Sequence, residues 1–214
     1  MGVTGGFAAG KSTLTHLVHE KYGIPVIDVD EAGRRAVAEH ETVRAALRKV
    51  FGDAFFIDAT TLDRKKMAER IFTEDAAREQ LNHIVHPVML QIVFAEMQRI
   101  DQETLQSSYL MVNAALLFEL DLHKQVDVTV TVWAPFLICA QRAQERDGLS
   151  KQQVCSRYQA QWSPAKKAAW SDFVVINSGP WAGLMTQVDE LHQKLLLCAQ
   201  QKNMARSSVA IRGY

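Results

Sequence analysis

The sequence predicts an α/β fold: a three-layer sandwich with a parallel sheet between helices, an inserted helical lobe and a helical lid. Three observations predict it. Residues 3 to 30 read strand, glycine-rich loop, amphipathic helix and strand in quick succession. Further β-branched segments recur downstream, each separated from the next by enough chain for the helical crossover that parallel pairing requires. Between Glu31 and Ser108 the pattern turns helical, rich in arginine, glutamate and alanine, with no convincing buried strand.

Only Met1 to Thr4 precede the glycine-rich loop, so the first strand is expected to be a stub, or the start of the chain abbreviated. Leu14, Leu17, Val18 and Tyr22 then recur at helical spacing, and Gly23 closes that helix before PVIDVD, which reads as a short buried strand. The inserted lobe is assigned to residues 31–108, and the remaining strands to Tyr109–Ala115, Val126–Val132 and Asp172–Ile176. A helix runs from Pro135 to about Arg146 and stops at Asp147-Gly148. Ser150 begins another with capping-box spacing to Gln153, and Ser163-Pro164 begins a third. Short helices joined by tight turns suit a mobile lid over about 142–168. From Trp181, the helical spacing of Leu184, Val188, Leu191 and Leu195 closes the core, leaving ARSSVAIRGY to fray. The core is therefore expected to comprise 1–30 and 109–214.

Hydrophobic residues make up 48% of the 214-residue chain and charged residues 22%, enough for one sizeable core with a smaller lobe. Lysine plus arginine balance aspartate plus glutamate at 24 each, so no global field favours nucleic acid or an anionic membrane. Any anionic ligand must be met by placed residues. Cys139, Cys155 and Cys198 include no CxxC pair, which gives neither a disulfide framework nor a zinc knuckle. With no signal-peptide pattern, and with apolar runs such as YLMVNAALLF too short to span a bilayer, the expectation is a cytoplasmic protein, monomeric or weakly self-associating.

The opening loop, VTGGFAAGKSTL, is the most specific signal. Gly5, Gly10, Lys11 and Ser12 satisfy G-x-x-x-x-G-K-[ST], the phosphate loop whose backbone N–H groups wrap phosphates at a helix N-terminus. This makes the sandwich one of P-loop NTPase type. Gly6, Ala8, Ala9 and Gly10 would supply the close backbone. Lys11 would reach the β- and γ-phosphate oxygens, Ser12 would bind Mg²⁺, and Thr13 would add a second hydroxyl, so ATP and Mg²⁺ are the expected cofactors. The guanine-reading [NT]-K-x-D of a GTPase is absent.

A kinase needs a base where the acceptor hydroxyl meets the γ-phosphate, at the C-terminal edge of the strands. Asp28 and Asp30 close the second predicted strand, where alternation puts both carboxylates on one side. Asp30, nearer the edge, is the better base, and Asp28 could position metal or water. Either could instead cap a following helix. Arg142 and Arg146 lie i,i+4 on one helix face, with Arg157 in the next helix, and positive charge on a hinged segment suits phosphoryl transfer. Pairing with Glu145 and Asp147 on a solvated face is the alternative.

Taken in order, TGGFAAGKST, VIDVD, LDRKKMAERIF, His86-Pro87, ALLFE (Ala115–Glu119), ERDGLS (Glu145–Ser150) and SDFVVINSG (Ser171–Gly179) resemble the dephospho-coenzyme A kinases through nearly the whole chain. The resemblance implies an ATP-dependent, Mg²⁺-requiring kinase acting on the ribose 3′-hydroxyl of dephospho-CoA, the last step of coenzyme A synthesis. Asp30 is then the base, with Lys11 and Arg142 at the reacting phosphates and Arg146 beside them. Asn177 lies near adenine, and the lobe holds the acceptor, with Arg34, Arg64, His86 and Leu116 as residues that bind it. Lys65, Lys66 and Arg70 join Arg64 as candidates for its pyrophosphate. Another small-molecule P-loop kinase, or a nucleotide-binding regulator without turnover, are the rival readings.

Two departures stand out: family members often carry proline where Ala115 stands, and a longer turn where this chain has AEHETV (Ala38–Val43). His16 with His19 and His83 with His86 have i,i+3 spacing, but no third ligand is placed by sequence, so packing or a substrate-side role for His86 is favoured over metal. Trp133, Trp162 and Trp170 read as core or lid packing rather than a stack on adenine.

Overall fold

The computed structural model describes residues 1–103 and 107–211. Five short parallel strands, β1 (Gly2–Gly5), β2 (Val26–Asp28), β3 (Met111–Asn113), β4 (Thr129–Trp133) and β5 (Phe173–Ile176), form one sheet in the order β2-β3-β1-β4-β5. The short first strand is its centre. Gly2 and Val3 lie opposite Val112 and Asn113 on one side, and all four residues pair with Thr129 to Val132 on the other. Neighbours on both sides bury every residue of β1, and the terminal ammonium of Met1 donates to Leu110 O at 2.8 Å. Brevity costs this strand nothing, because two partners satisfy its backbone.

Nine α-helices surround the sheet among the described residues: α1 (Lys11–Tyr22), α2 (Val29–Glu39), α3 (Glu41–Phe51), α4 (Arg64–Thr73), α5 (Asp75–Glu103), α6 (Phe136–Asp147), α7 (Lys151–Gln159), α8 (Pro164–Trp170) and α9 (Trp181–Ile211). One core joins Leu14 and Val18 of α1 and Leu184, Val188 and Leu191 of α9 to Val3, Val130 and Val132 of the sheet. A second joins α2, α3 and α5, through Ala36, Leu47, Val85 and Val93, to Ile27 and Val112. The lobe expected over 31–108 thus shares its core with β2 and β3. β5 is an edge strand, but Gln187 of α9 accepts from Ile176 N and donates to Ile176 O, at 2.8 and 2.9 Å, occupying backbone groups that would otherwise invite another strand.

Two expectations need correction. The segment PVIDVD does not stay extended to Asp30: Asp28 Oδ1 accepts from Glu31 N at 2.9 Å, caps α2 and turns the chain into helix. Asp30 therefore sits in the first turn of α2, and strand alternation does not relate it to Asp28. The tail also stays helical to Ile211 rather than fraying from Ala205, while the expectation for 212–214 falls outside the described residues. The lid segment matches its sequence signals: Gly148 closes α6 in the left-handed region, Ser150 and Gln153 form a capping box, and Ser163 caps α8 ahead of Pro164. No described helix is long and apolar enough to cross a membrane.

Candidate active site

The phosphate loop links the end of β1 to α1, and two of its glycines are sterically required. A Cβ on Gly5 would lie 2.2 Å from Val132 O, and one on Gly10, at φ +99°, would lie 2.1 Å from Asn177 Nδ2. α2, α4, α7 and α8 are capped by the side chains of Asp28, Asp63, Ser150 and Ser163. α1 has no side-chain cap and no acidic residue in its first turn, so its leading amides and the positive end of its dipole are left for an anion.

Lys11 Nζ donates to the carbonyls of Gly5 and Gly6 at 3.3 and 3.1 Å. Burial, reinforced by the charge of Lys167 and opposed by that of Asp30, pushes its ammonium down to about pKa 8. Such a desolvated cation is stabilised by an arriving phosphate. Ala9 is buried, and its carbonyl accepts from Asn177 Nδ2 at 2.9 Å, so it braces the loop through Asn177.

A cavity of about 1580 Å³ opens over the C-terminal ends of the strands. Its wall brings together Ala8, Gly10, Lys11, Ser12, Thr13, Asp30, His86, Leu116, Arg142, Arg146 and Asn177. Burial, then the charge of Asp28, raises the Asp30 carboxyl above its ordinary pKa, while Lys11 and Arg34 pull the other way. Arg142 Nη2 donates to Asn177 Oδ1 at 3.5 Å, and its Nη1 is buried with no acceptor among the described residues. Arg146 is held by Asp147 through two bonds of 2.8 Å, as the solvated-face alternative expects. Arg157 sits over the rings of Phe7 and Phe72, at 5.6 and 5.0 Å.

Arg34 and Arg64 are not brought into this cavity. They line an adjoining one of about 330 Å³, whose wall shares Asp30, Asn82 and His86 with the first. Arg34 pairs with Glu31, Lys66 donates to Ala54 O at 2.8 Å, and Arg70 pairs with Glu74. The lobe arginine on the large cavity is Arg78, which no spacing in the sequence distinguishes from its neighbours. Helix packing decides this sorting, because one turn of α4 or α5 moves a guanidinium from one wall to another.

Both Asp28 oxygens are engaged, Oδ1 by Glu31 N and Oδ2 by Asn113 Nδ2 at 2.8 Å. Among the described residues no three His, Cys, Asp or Glu side chains cluster as a metal site. His19 Nδ1 lies 2.9 Å from Ile24 O. Ser12, exposed at the mouth of the loop, suits Mg²⁺ carried mainly by phosphates and water, which is how that ion binds in kinases.

A phosphate loop, a carboxylate with a raised pKa and lid arginines on one cavity describe a small-molecule kinase. The family model for dephospho-CoA kinase (CoaE) matches residues 1–182. The chain belongs to the dephospho-CoA kinase family. It is 34% identical over 191 residues to dephospho-CoA kinase from Anaeromyxobacter dehalogenans, covering 89% of each chain. It is 32% identical to that from Nitrosomonas europaea, covering 95% of this chain and 98% of the relative. Among solved structures, TT1252 from Thermus thermophilus superposes with a TM-score of 0.73 at 27% identity, over 91% of this chain and 96% of that one. Dephospho-CoA kinase from Campylobacter jejuni shares the fold, with a TM-score of 0.58 at 22% identity, over 91% and 95%. This family member is a phosphotransferase.

The two departures from the family pattern have local solutions. Ala115 contributes its carbonyl, which accepts from Thr4 Oγ1 at 3.1 Å and from Lys167 Nζ, and any residue supplies a carbonyl. The turn from α2 to α3 is reduced to His40 and braced by the buried Arg44, whose Nη1 donates to Val37 O and Ala38 O. Trp162 and Trp170 pack edge to face at 5.2 Å beside Phe118, as expected of packing residues. The tryptophan on the cavity wall is Trp181, which sequence reasoning treated only as a helix start.

Proposed function

We propose that this chain transfers the γ-phosphoryl group of ATP to the ribose 3′-hydroxyl of dephospho-CoA, giving coenzyme A and ADP, with Asp30 as the base. The observation that carries it is the convergence of Lys11 and Asp30 on one cavity, close enough that each shifts the titration of the other. Asp30 accepts the hydroxyl proton, and the freed oxygen bonds to the γ-phosphorus. The bond from that phosphorus to the β–γ bridging oxygen breaks, and ADP departs with the electron pair. A raised pKa makes Asp30 a stronger base than an aspartate at its ordinary value.

Lys11 and the α1 amides offset charge on the β- and γ-phosphates, with the backbone of Gly6, Ala8, Ala9 and Gly10 shaping the loop around them. Arg142, whose Nη1 has no acceptor among the described residues, is the lid cation suited to the transferring group, and Arg146 can follow once released from Asp147. Ser12 would hold Mg²⁺, whose chemistry here is charge neutralisation across the phosphates, while Asp28, with both oxygens already engaged, could reach the ion only through water. α2 to α5 form the acceptor-binding side, on which His86 lines the large cavity, together with Leu116 from the turn after β3, and Arg34 and Arg64 line the adjoining one.

ATP consumption across a panel of hydroxyl acceptors tests the reading. Dephospho-CoA should exceed nucleosides and sugar acids by at least about 10² in kcat/KM, the scale set by several buried polar contacts to one substrate. Preference for another acceptor overturns the substrate assignment. ATP binding without turnover on any acceptor favours a regulator.

A further inference from the structure

Glu119 lies in the loop after β3, and its two carboxylate oxygens are treated very differently. Oε1 accepts from Lys167 Nζ at 2.9 Å and from the Trp162 backbone amide at 2.8 Å. Oε2 is buried, and among the described residues no donor reaches it, although Glu119 lines the large cavity. Lys167 is 0% exposed and also donates to Ala115 O, so the pair cannot swing away to solvate the bare oxygen. A buried acceptor without a donor is costly, which marks a site completed by something else. Gln161 Oε1, next to Trp162, is also buried without a donor and lines the same cavity. Two unpaired acceptors on one wall disfavour a phosphate and call for a neutral hydroxyl or N–H donor.

The cavity lining places this wall near the chemistry. Glu119 and Gln161 line the same cavity as Lys11 of the phosphate loop and Asp30, and Lys167, which holds Glu119, carries a charge felt at Lys11. With dephospho-CoA as acceptor and Asp30 as base, the group brought to that region is the ribose, with its 3′-hydroxyl toward Asp30. We propose that Glu119, clamped by Lys167 and the Trp162 amide, binds the acceptor through Oε2 by taking a hydrogen bond from the neighbouring ribose 2′-hydroxyl. This rests on the dephospho-CoA reading above. Glu119 is then a substrate-binding residue and Lys167 a positioning residue acting through it. Since Trp162 lies in the turn between α7 and α8, the same carboxylate couples acceptor binding to the lid.

The test is steady-state kinetics of wild type, Glu119→Gln and Lys167→Met with dephospho-CoA and its 2′-deoxy analogue. In wild type the deoxy analogue should lose about 10- to 100-fold in kcat/KM, the range for a hydrogen bond to a charged group. Glu119→Gln should raise the KM for dephospho-CoA by a similar factor, leave the KM for ATP within about 3-fold, and no longer distinguish the two acceptors. Lys167→Met should likewise raise the acceptor KM and erase the discrimination. Equal use of both acceptors by wild type overturns the proposal even if neither variant folds. So does a variant that keeps the full wild-type discrimination, or one that loses kcat at unchanged acceptor KM. Failure of wild type to use dephospho-CoA at all would instead overturn the substrate reading.

Discussion

Asn177 Nδ2 donates to Ala9 O at 2.9 Å, tying the turn after the last strand to the phosphate loop across 168 residues of sequence. The other end of the same amide accepts from Arg142 Nη2 at 3.5 Å, so one buried side chain joins the loop to the lid. Asn177→Leu leaves a buried carbonyl without its donor and should cost about 1–3 kcal/mol of stability. It should also weaken ATP binding. Thermal unfolding and ATP titration check both, and unchanged values in each would remove the bracing role.

Asp30→Asn keeps the shape of the side chain but deletes its ability to take the hydroxyl proton. kcat should fall by about 10² to 10⁴, with ATP affinity within a few-fold. Asp28→Asn should cost less in kcat, since Asp28 spends its oxygens on Glu31 N and Asn113 Nδ2. The reverse order, with both proteins folded and binding ATP, would falsify the assignment of the base. Because the Asp30 pKa is raised, the acid limb of kcat/KM for dephospho-CoA should lie above the ordinary carboxylate range, and it should vanish in Asp30→Asn.

Lys11→Met should abolish turnover while stabilising the ligand-free protein. The lysine has a pKa of about 8 in the fold against 10.5 for the free side chain, so the unfolded chain holds more protons between these values and stability rises with pH through that window. Below it, the full cost of the buried charge is present and the methionine removes it. Melting temperatures of ligand-free protein at pH 7 and pH 10 should differ more for wild type than for the variant. A variant less stable than wild type at pH 7 contradicts this account.

Gly10→Ala combines a positive φ with a methyl directed 2.1 Å from Asn177 Nδ2, so either the loop or the amide must move. Loss of nucleotide binding with a stability loss of more than about 1 kcal/mol is expected. Gly23→Ala, at φ +66° with open space around the added methyl, is the control, and it should lose stability without losing ATP affinity. Similar ATP affinities for wild type and Gly10→Ala would show that loop geometry there is not required.

Hydrogen exchange across Arg142 to Ala168 should slow when an ATP analogue binds, because the triphosphate offers Arg142 Nη1 an acceptor and gives Arg146 an anion to exchange for Asp147. Capping bonds at Ser150 and Ser163 should be protected in both states, since they close within single helices. Equal protection with and without nucleotide counts against a closing lid.

The sequence by itself determined whatever is written in consecutive residues. Gly5 through Thr13 specify the phosphate loop, because their hydrogen bonds and tight turns close within one stretch of chain. The stops and starts at Gly148, Ser150 with Gln153, and Ser163 with Pro164 were legible for the same reason. Where a local signal was shared by two structures, sequence could not choose: an aspartate here reads equally as strand end and helix cap, and Asp28 is both, ending β2 and capping α2 through its bond to Glu31 N. Only the tertiary structure put β1 at the centre of the sheet, sent Arg34 and Arg64 to the smaller cavity while Arg78 faced the larger, and gave Asn177 its partner in Ala9. It alone joined Glu119 to Lys167 and left one carboxylate oxygen bare. These outcomes depend on how crossover helices dock on the sheet, and a long charged side chain carries no mark in the local sequence of the wall it will reach once the helices are packed.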